Sequence, residues 1–165
     1  GQVCMSSAMF AEGFRPAVDL LLSLSIIGGR AQPPIIKALS QNLRADFSRY
    51  NELIKLSKLQ SGLSADAEKL VRRGESITSM LRQGQYAPVS MAEEVLLLYA
   101  LDRGLLATIT ADEKTAFRNE IFAFACQTKQ ALVDEIMEQR ELTPAVEKGL
   151  SEVMQAFFLT KQPKP

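Results

Sequence analysis

The spacing of apolar residues changes near residue 30 and predicts two unequal parts. Residues 17–27 form a compact apolar run that follows Arg15-Pro16 and ends at Gly28-Gly29. A short run of this kind between turn residues predicts a largely buried strand, and residues 2–6 could supply a second one. Two strands cannot cover their own faces. We therefore predict that residues 1–30 are the edge of a larger sheet.

After this run, apolar residues recur at intervals of three and four, as on one side of an α-helix. Pro33-Pro34 suits a helix start, because the first turn does not need the missing N–H. One apolar stripe over residues 35–56 predicts a first long helix. Ser64 predicts the cap of a second helix. A loop is predicted at residues 83–89, which contain Gly and Pro.

Two capping boxes predict further helix starts. They are Ser-Met-Ala-Glu at residues 90–93 and Thr-Ala-Asp-Glu at residues 110–113, in which a hydroxyl and a carboxylate each accept a terminal N–H. Gly104 predicts the end of the first of these helices. Thr143-Pro144 predicts the start of the last one.

These elements together predict a mainly α protein. We expect a bundle of about five to six helices over residues 31–160. A short β remnant over residues 1–30 precedes it, and a tail over residues 161–165 follows it.

The composition limits the kinds of binding and catalytic site that the sequence can form. Nineteen basic and nineteen acidic residues balance in this 165-residue chain, so no net field favours nucleic acid or an anionic membrane. The sequence has no His, the commonest metal ligand and general base near neutral pH. Cys4 and Cys126 are too few for a zinc site or a disulfide framework. We expect no metal site and no catalysis by a carboxylate bundle.

Four segments fall in a recognisable order. They are Gly-Phe-Arg-Pro-Ala-Val at residues 13–18, Ser-Leu-Ser-Ile-Ile-Gly-Gly at 23–29, Leu-Arg-Ala-Asp-Phe-Ser-Arg-Tyr at 43–50 and Arg-Gln-Gly-Gln-Tyr-Ala-Pro at 82–88. This order resembles the C-terminal part of the α subunit of F-type ATP synthases. The resemblance implies a structural and regulatory, non-catalytic part of a rotary proton-translocating ATPase, in which residues 1–30 are the end of the nucleotide-binding domain and residues 31–160 are the C-terminal helical bundle.

The resemblance also implies one wall of a non-catalytic nucleotide site, in contact with the adenine of ATP or ADP. The residues that match the family's adenine edge are Phe10, Arg15, Pro16, Gln83 and Gln85, with Ala87 where the family usually has Ser. An aromatic face and a proline ring suit a purine, and glutamine amides can bond its edge. The sequence contains no Gly-x-x-x-x-Gly-Lys-Ser/Thr motif, so these residues alone cannot cradle phosphates.

Ile26 is the sharpest departure from the family pattern. It stands where the family presents an arginine to the catalytic site of the neighbouring β subunit. Such a guanidinium accelerates phosphoryl transfer by about 10³–10⁵, and an isoleucine cannot replace it. We therefore predict that this protein has no working arginine finger and no catalytic residue.

The resemblance further implies partners and a location. The partners are the ATP synthase β and γ subunits, and the membrane is reached only through the complex. The complex lies at the cytoplasmic face of the bacterial inner membrane, or on the mitochondrial matrix or plastid stroma side. The segment 60–67 has a single carboxylate, which favours an α-type over a β-type subunit.

Two alternatives stay open from the sequence. The protein could be a stand-alone protein-interaction module that derives from such a subunit and lacks catalysis. In isolation, it could also self-associate through the strand predicted at residues 17–27, because an open β edge invites pairing.

Overall fold

A computed structural model describes residues 1–57 and 64–161, which are mainly helical with almost no strand, so the predicted fold class is confirmed. Helices α2 to α7 form the bundle, in agreement with the expected five to six helices. The helices are α1 (Ser7–Ala11), α2 (Pro34–Ser40), α3 (Leu43–Ser57), α4 (Ala65–Met80), α5 (Met91–Asp102), α6 (Ala111–Gln139) and α7 (Pro144–Lys161), with a short 3-10 helix at Gly28–Arg30.

Helix α5 is the centre of the bundle. Its residues 95–101 are all buried, and Val95, Leu96 and Ala100 have no accessible surface. Helices α2, α4, α6 and α7 pack around it. A helix that is apolar on every side is stable only when it is covered on every side, which explains why α5 occupies this position.

The single long helix predicted over residues 35–56 is wrong. The backbone turns at Gln41-Asn42 and forms two helices, α2 and α3. The physical reason is that the stripe has two different partners: α2 packs against α5, whereas α3 packs against α4. Part of the segment 60–67, whose single carboxylate favours an α-type subunit, lies outside the described residues.

The helix starts predicted at Ser64, Thr110 and Thr143 are confirmed. Their side-chain oxygens accept a backbone N–H from the residue three positions later, at 3.3, 3.3 and 3.2 Å. Thr110 forms the complete capping box, since its own N–H donates to Glu113 at 2.7 Å. Gly104, with a φ of +67°, follows the end of α5 as predicted.

The capping box predicted at residues 90–93 forms only in part. Ser90 accepts the N–H of Glu93 at 3.2 Å, but the Glu93 carboxylate turns away from the helix start. It binds Arg118 of α6 at 2.7 Å instead. An ion pair with another helix therefore replaces the second half of the box.

The largely buried strand predicted at residues 17–27 is also wrong. The Asp19 carboxylate accepts the N–H groups of Leu21 and Leu22 at 2.9 and 3.0 Å and turns the backbone. Pairing in the described residues consists of two isolated antiparallel bridges, Gln2 with Leu24 and Met5 with Val18. Ala17 is buried, but most of the later apolar side chains face outward, with Leu22, Leu24, Ile26 and Ile27 exposed by 59 to 82%.

Helix α6 contains one break, at Lys129 (φ −151°, ψ 61°), and ends at Arg140 in the left-handed conformation. The Arg140 carbonyl accepts the N–H of Ile35 at 3.0 Å, which ties this end to the start of α2. Lys161 of the predicted tail is the last residue of α7, and residues 162–165 lie outside the described part. None of the helices described is long and apolar enough to cross a membrane.

Candidate functional site

The predicted site begins with a stacked pair. The Arg15 guanidinium carbon lies 3.6 Å from the centre of the Phe10 ring. One guanidinium nitrogen of Arg15 donates to the carbonyls of Phe10 and Phe14 at 2.7 and 2.9 Å. These contacts hold the guanidinium over one face of the ring, although 57% of Phe10 remains exposed. The turn between α1 and Arg15 uses Gly13 with a φ of +77°.

The second part of the site is the loop at residues 82–88. The backbone N–H of Gln83 donates to the Arg15 carbonyl at 2.9 Å. The Gln83 amide nitrogen donates to the Ala87 carbonyl at 2.9 Å, which shapes the loop. Tyr86 lies at the loop tip with a φ of 57° and is 93% exposed.

The structure thus places Arg15 in direct contact with two of the other predicted residues, with Phe10 through its side chain and with Gln83 through the backbone. Pro16 is exposed and follows Arg15 through a cis peptide bond. Gln85 lies two positions beyond Gln83 and is exposed, and its side chain has no hydrogen bond to any residue described. That any of the five binds adenine stays a prediction.

Sequence reasoning missed two residues that support this arrangement. Phe14 is buried, with 8% of its surface exposed, and the Arg82 guanidinium lies 5.9 Å from its ring centre. Phe14 therefore anchors the turn that carries Arg15, and Arg82 connects it with the loop. The sequence signal for Phe14 is its place directly before Arg-Pro, which marks a motif but does not indicate a buried anchor.

A cleft of about 320 Å³ lies behind the loop, lined in part by Gln83, Glu94, Leu97 and Arg118. Partial burial raises the pKa of the Glu94 carboxyl above its ordinary value. The cleft therefore combines an apolar wall with convergent polar groups, as small-molecule sites do.

The chemistry available at this site is recognition. It offers a stacked aromatic and guanidinium pair, exposed glutamine amides and the cation of Arg82. Among the residues that the structure describes, no three His, Cys, Asp or Glu side chains cluster as metal ligands would. The arrangement can contact a planar, hydrogen-bonding group. None of the side chains just named is a nucleophile or a general base near neutral pH.

Ile26 lies in the turn before the 3-10 helix and is 82% exposed. A broad open cleft of about 1310 Å³ lies beside this helix, with Lys37, Arg44 and Glu94 as its charged residues. Neither Ile26 nor Arg30 lines it. Arg44 holds the preceding turn by donating to the Leu21 carbonyl at 2.8 Å.

Comparison with known proteins gives a consistent result. Residues 32–157 match the family "ATP synthase alpha/beta chain, C terminal domain". The sequence is 32% identical over 157 residues to ATP synthase subunit alpha 2 of Vibrio campbellii, and 34% identical over 161 residues to ATP synthase subunit alpha of Ectopseudomonas mendocina and of Pseudomonas paraeruginosa. These alignments cover 95 to 98% of this protein but 31% of each relative. It thus spans about a third of the length of these curated relatives.

Proposed function

Because this protein belongs to the family that comprises the C-terminal domain of ATP synthase alpha and beta subunits, we propose that it serves as the C-terminal region of an α-type subunit with a structural and regulatory role. The relatives that it resembles over nearly its whole length are alpha subunits. In this role it contributes packing surface and rigidity to a larger assembly. By itself it catalyses no reaction.

The bundle supports the assembly role. The family match over residues 32–157 falls on helices α2 to α7. We propose the ATP synthase β and γ subunits as its partners, with contact to the membrane only through the complex. The complex would lie on the cytoplasmic face of a bacterial inner membrane or its organellar counterpart.

One observation supports the nucleotide role: the hydrogen bond from Gln83 to Arg15, which joins two segments far apart in sequence. It brings the two motifs of the proposed adenine wall side by side. Phe10, with its ring partly exposed, supplies an aromatic surface next to them. The phosphate-binding groups must come from outside this sequence, since it has no phosphate loop.

Ile26 supports the absence of an arginine finger. An exposed aliphatic side chain cannot stabilise charge on a phosphoryl group. It also favours the second candidate, a stand-alone interaction module derived from such a subunit. A gene that continues upstream into a phosphate loop would support the α-type subunit. A start codon near Gly1 would support the stand-alone module.

Photolabelling tests the nucleotide role. The protein, joined to an α-subunit part that carries the phosphate loop and assembled with β and γ subunits, is irradiated with an ATP analogue that carries an azide on adenine, and labelled peptides are mapped by mass spectrometry. We expect label on the peptide containing residues 83–88, lost in the double variant Gln83→Ala/Gln85→Ala. Gln127→Ala, which changes an exposed glutamine on α6, is the matched control. Equal labelling in all three proteins would reject the adenine wall.

Assembly has a separate test. The protein is co-expressed with β and γ subunits, and the purified complex is analysed by size exclusion and native mass spectrometry. We expect stoichiometric incorporation. Elution free of both subunits would reject the subunit role, whatever the result of the photolabelling.

A further inference from the structure

The backbone of residues 1–6 is paired along one side. Gln2 and Leu24 exchange two N–H···O bonds, at 2.6 and 2.8 Å. The Cys4 carbonyl accepts the N–H of Asp19 at 2.8 Å. In a paired extended segment, residues two apart turn their backbone groups to the same side. The even-numbered residues of this segment therefore face the rest of the protein.

Val3 and Met5, which alternate with these residues, turn their backbone groups to the opposite side. Within residues 1–57 and 64–161, neither the N–H nor the carbonyl of Val3 or Met5 has a hydrogen-bond partner. Their side chains are also exposed, by 70 and 66%. Two free donors and two free acceptors thus line one edge, as on a strand that can accept another strand.

This edge has no side-chain charge of its own. Residues 1–6 and the neighbouring residues 20–29 contain no Asp, Glu, Lys or Arg. Asp19 and Arg44, which approach this region, are bonded to the backbone of residues 21–23. Proteins commonly protect an open edge with Lys, Pro or a bulge. The edge therefore lacks a charge that would repel a second copy of itself.

The edge is complementary to itself. When two copies run antiparallel with their Cys4 residues opposed, Val3 of each copy lies opposite Met5 of the other. Each of these pairs exchanges two N–H···O bonds, so all the free donors and acceptors are satisfied. The apolar side chains of Val3 and Met5 then form cross-strand pairs. This twofold arrangement closes at two copies, because each edge is used up.

We propose that this edge pairs with the same edge of a second copy, in an antiparallel register centred on Cys4. A two-stranded pair is marginal in water, so the dimer also needs the exposed apolar residues 22–27, which adjoin the edge at the bridge between Gln2 and Leu24. The pairing goes beyond the proposed subunit role and shares no residue with the proposed adenine wall.

Cross-linking of Cys4 tests the register. Opposed residues without mutual hydrogen bonds have Cα atoms about 4.5 Å apart, within the range of about 4.4–6.8 Å that disulfides span. The 165-residue protein carries Cys126→Ser, which leaves Cys4 as its one thiol. Added diamide oxidises two thiols to a disulfide by taking up two electrons and two protons. We expect a cross-linked dimer wherever sedimentation shows association, and none with Cys4→Ser.

Val3→Pro tests the hydrogen bonds of the edge. Proline removes an outward N–H but no hydrogen bond within the described residues. Because two of the four bonds between the copies are lost, association should weaken about tenfold or more. Val3→Thr keeps the N–H and is the matched control. Hydrogen exchange followed by NMR should also show the N–H groups of Val3 and Met5 becoming protected as the protein concentration rises.

Each outcome decides the proposal. A dimer that cross-links through Cys4 and is weakened by Val3→Pro supports it. A protein that stays monomeric at high concentration overturns it, as does association without a Cys4 cross-link, or equal association of Val3→Pro and Val3→Thr. Should Val3→Pro fail to fold, Met5→Pro replaces it, and unchanged association there also overturns the pairing. None of these results alters the photolabelling or assembly tests of the proposed function.

Discussion

A Cβ atom placed on Gly74 would lie 2.0 Å from Cγ of Tyr50, so the backbone of α4 is in direct contact with the tyrosine ring of α3. No real Cβ occupies such a position. Tyr50 is half-buried: burial first, and then the nearby Glu75 carboxylate, raise the pKa of its hydroxyl above its ordinary value. The pairing of α3 with α4 therefore depends on a glycine in the middle of a helix.

Gly74→Ala should destabilise the protein by about 1–3 kcal/mol, because overpacking against Tyr50 exceeds the gain in helix propensity. Urea denaturation gives the free energy of unfolding. The control is Gly29→Ala, whose added Cβ would meet Lys37 at an ordinary 3.5 Å. Adding Tyr50→Ala should recover part of the loss. An unchanged midpoint in Gly74→Ala would contradict the close contact.

Glu93→Gln should destabilise the protein by about 1–3 kcal/mol, since it leaves the Arg118 guanidinium without its ion-pair partner. Both side chains are largely buried, with 18 and 15% exposed, and Arg118 Nε already has no partner in the described residues. The double variant Glu93→Gln/Arg118→Met should regain stability. Asp66→Asn, in a pair exposed by 78 and 92%, should change little. Equal effects of the two single changes would refute a special role for the buried pair.

Thr110→Ala should cost about 1 kcal/mol at neutral pH, because it removes one half of the α6 capping box. Hydrogen bonds from Thr110 hold the pKa of Glu113 below its ordinary 4.5. A carboxyl whose pKa is lowered on folding contributes stability above its unfolded pKa, and that contribution is lost as the pH falls through the folded pKa. Thermal unfolding at several pH values should therefore show a smaller difference between the two proteins below pH 4.5 than at neutral pH. A constant difference would count against the box.

Arg15→Ala should speed hydrogen exchange across residues 1–16, because the guanidinium holds the carbonyls of Phe10 and Phe14. Exchange measured by mass spectrometry should change little in α5. Arg30→Ala is the control, since Arg30 is exposed and its side chain has no bond to a described residue. Exchange that is equally slow in both variants would show that Arg15 does not fix this segment.

The isolated 165-residue protein should self-associate through the exposed apolar face of residues 22–27. The predicted open strand is not the cause, because the segment turns at Asp19. In sedimentation experiments, the triple variant Leu22→Ser/Leu24→Ser/Ile26→Ser should be monomeric where the unchanged protein is not. Leu159→Ser, at another exposed leucine, should have no effect. An unchanged protein that stays monomeric at high concentration would rule this out.

Local chemistry made the helix starts predictable. Ser64, Thr110 and Thr143 each need a bond to a residue three positions away, and sequence alone contains that information. The turn at Asp19 uses equally local bonds, but the apolar run conceals it. Glu93 shows the opposite case: its partner, Arg118, is 25 positions away, and only the packing of α5 on α6 brings the two together.

The candidate site was predictable only in part, for the same reason. Its residues came from a family resemblance, and the bond between Gln83 and Arg15 joins segments that only the folded bundle brings together. Phe14 was missed because no periodic pattern marks a single buried aromatic residue in a turn. The break of α6 at Lys129 has no local signal, such as Pro or Gly, in its vicinity.

The burial of residues 95–101 of α5 couples this helix to α2, α4, α6 and α7 as one cooperative unit. If one of these neighbouring helices detaches, it exposes the buried leucines of α5 to water, which costs free energy. We therefore expect local unfolding mainly at the periphery, in residues 1–30 and in the loop at residues 82–88. Large movements of this unit should therefore displace its helices together rather than one at a time.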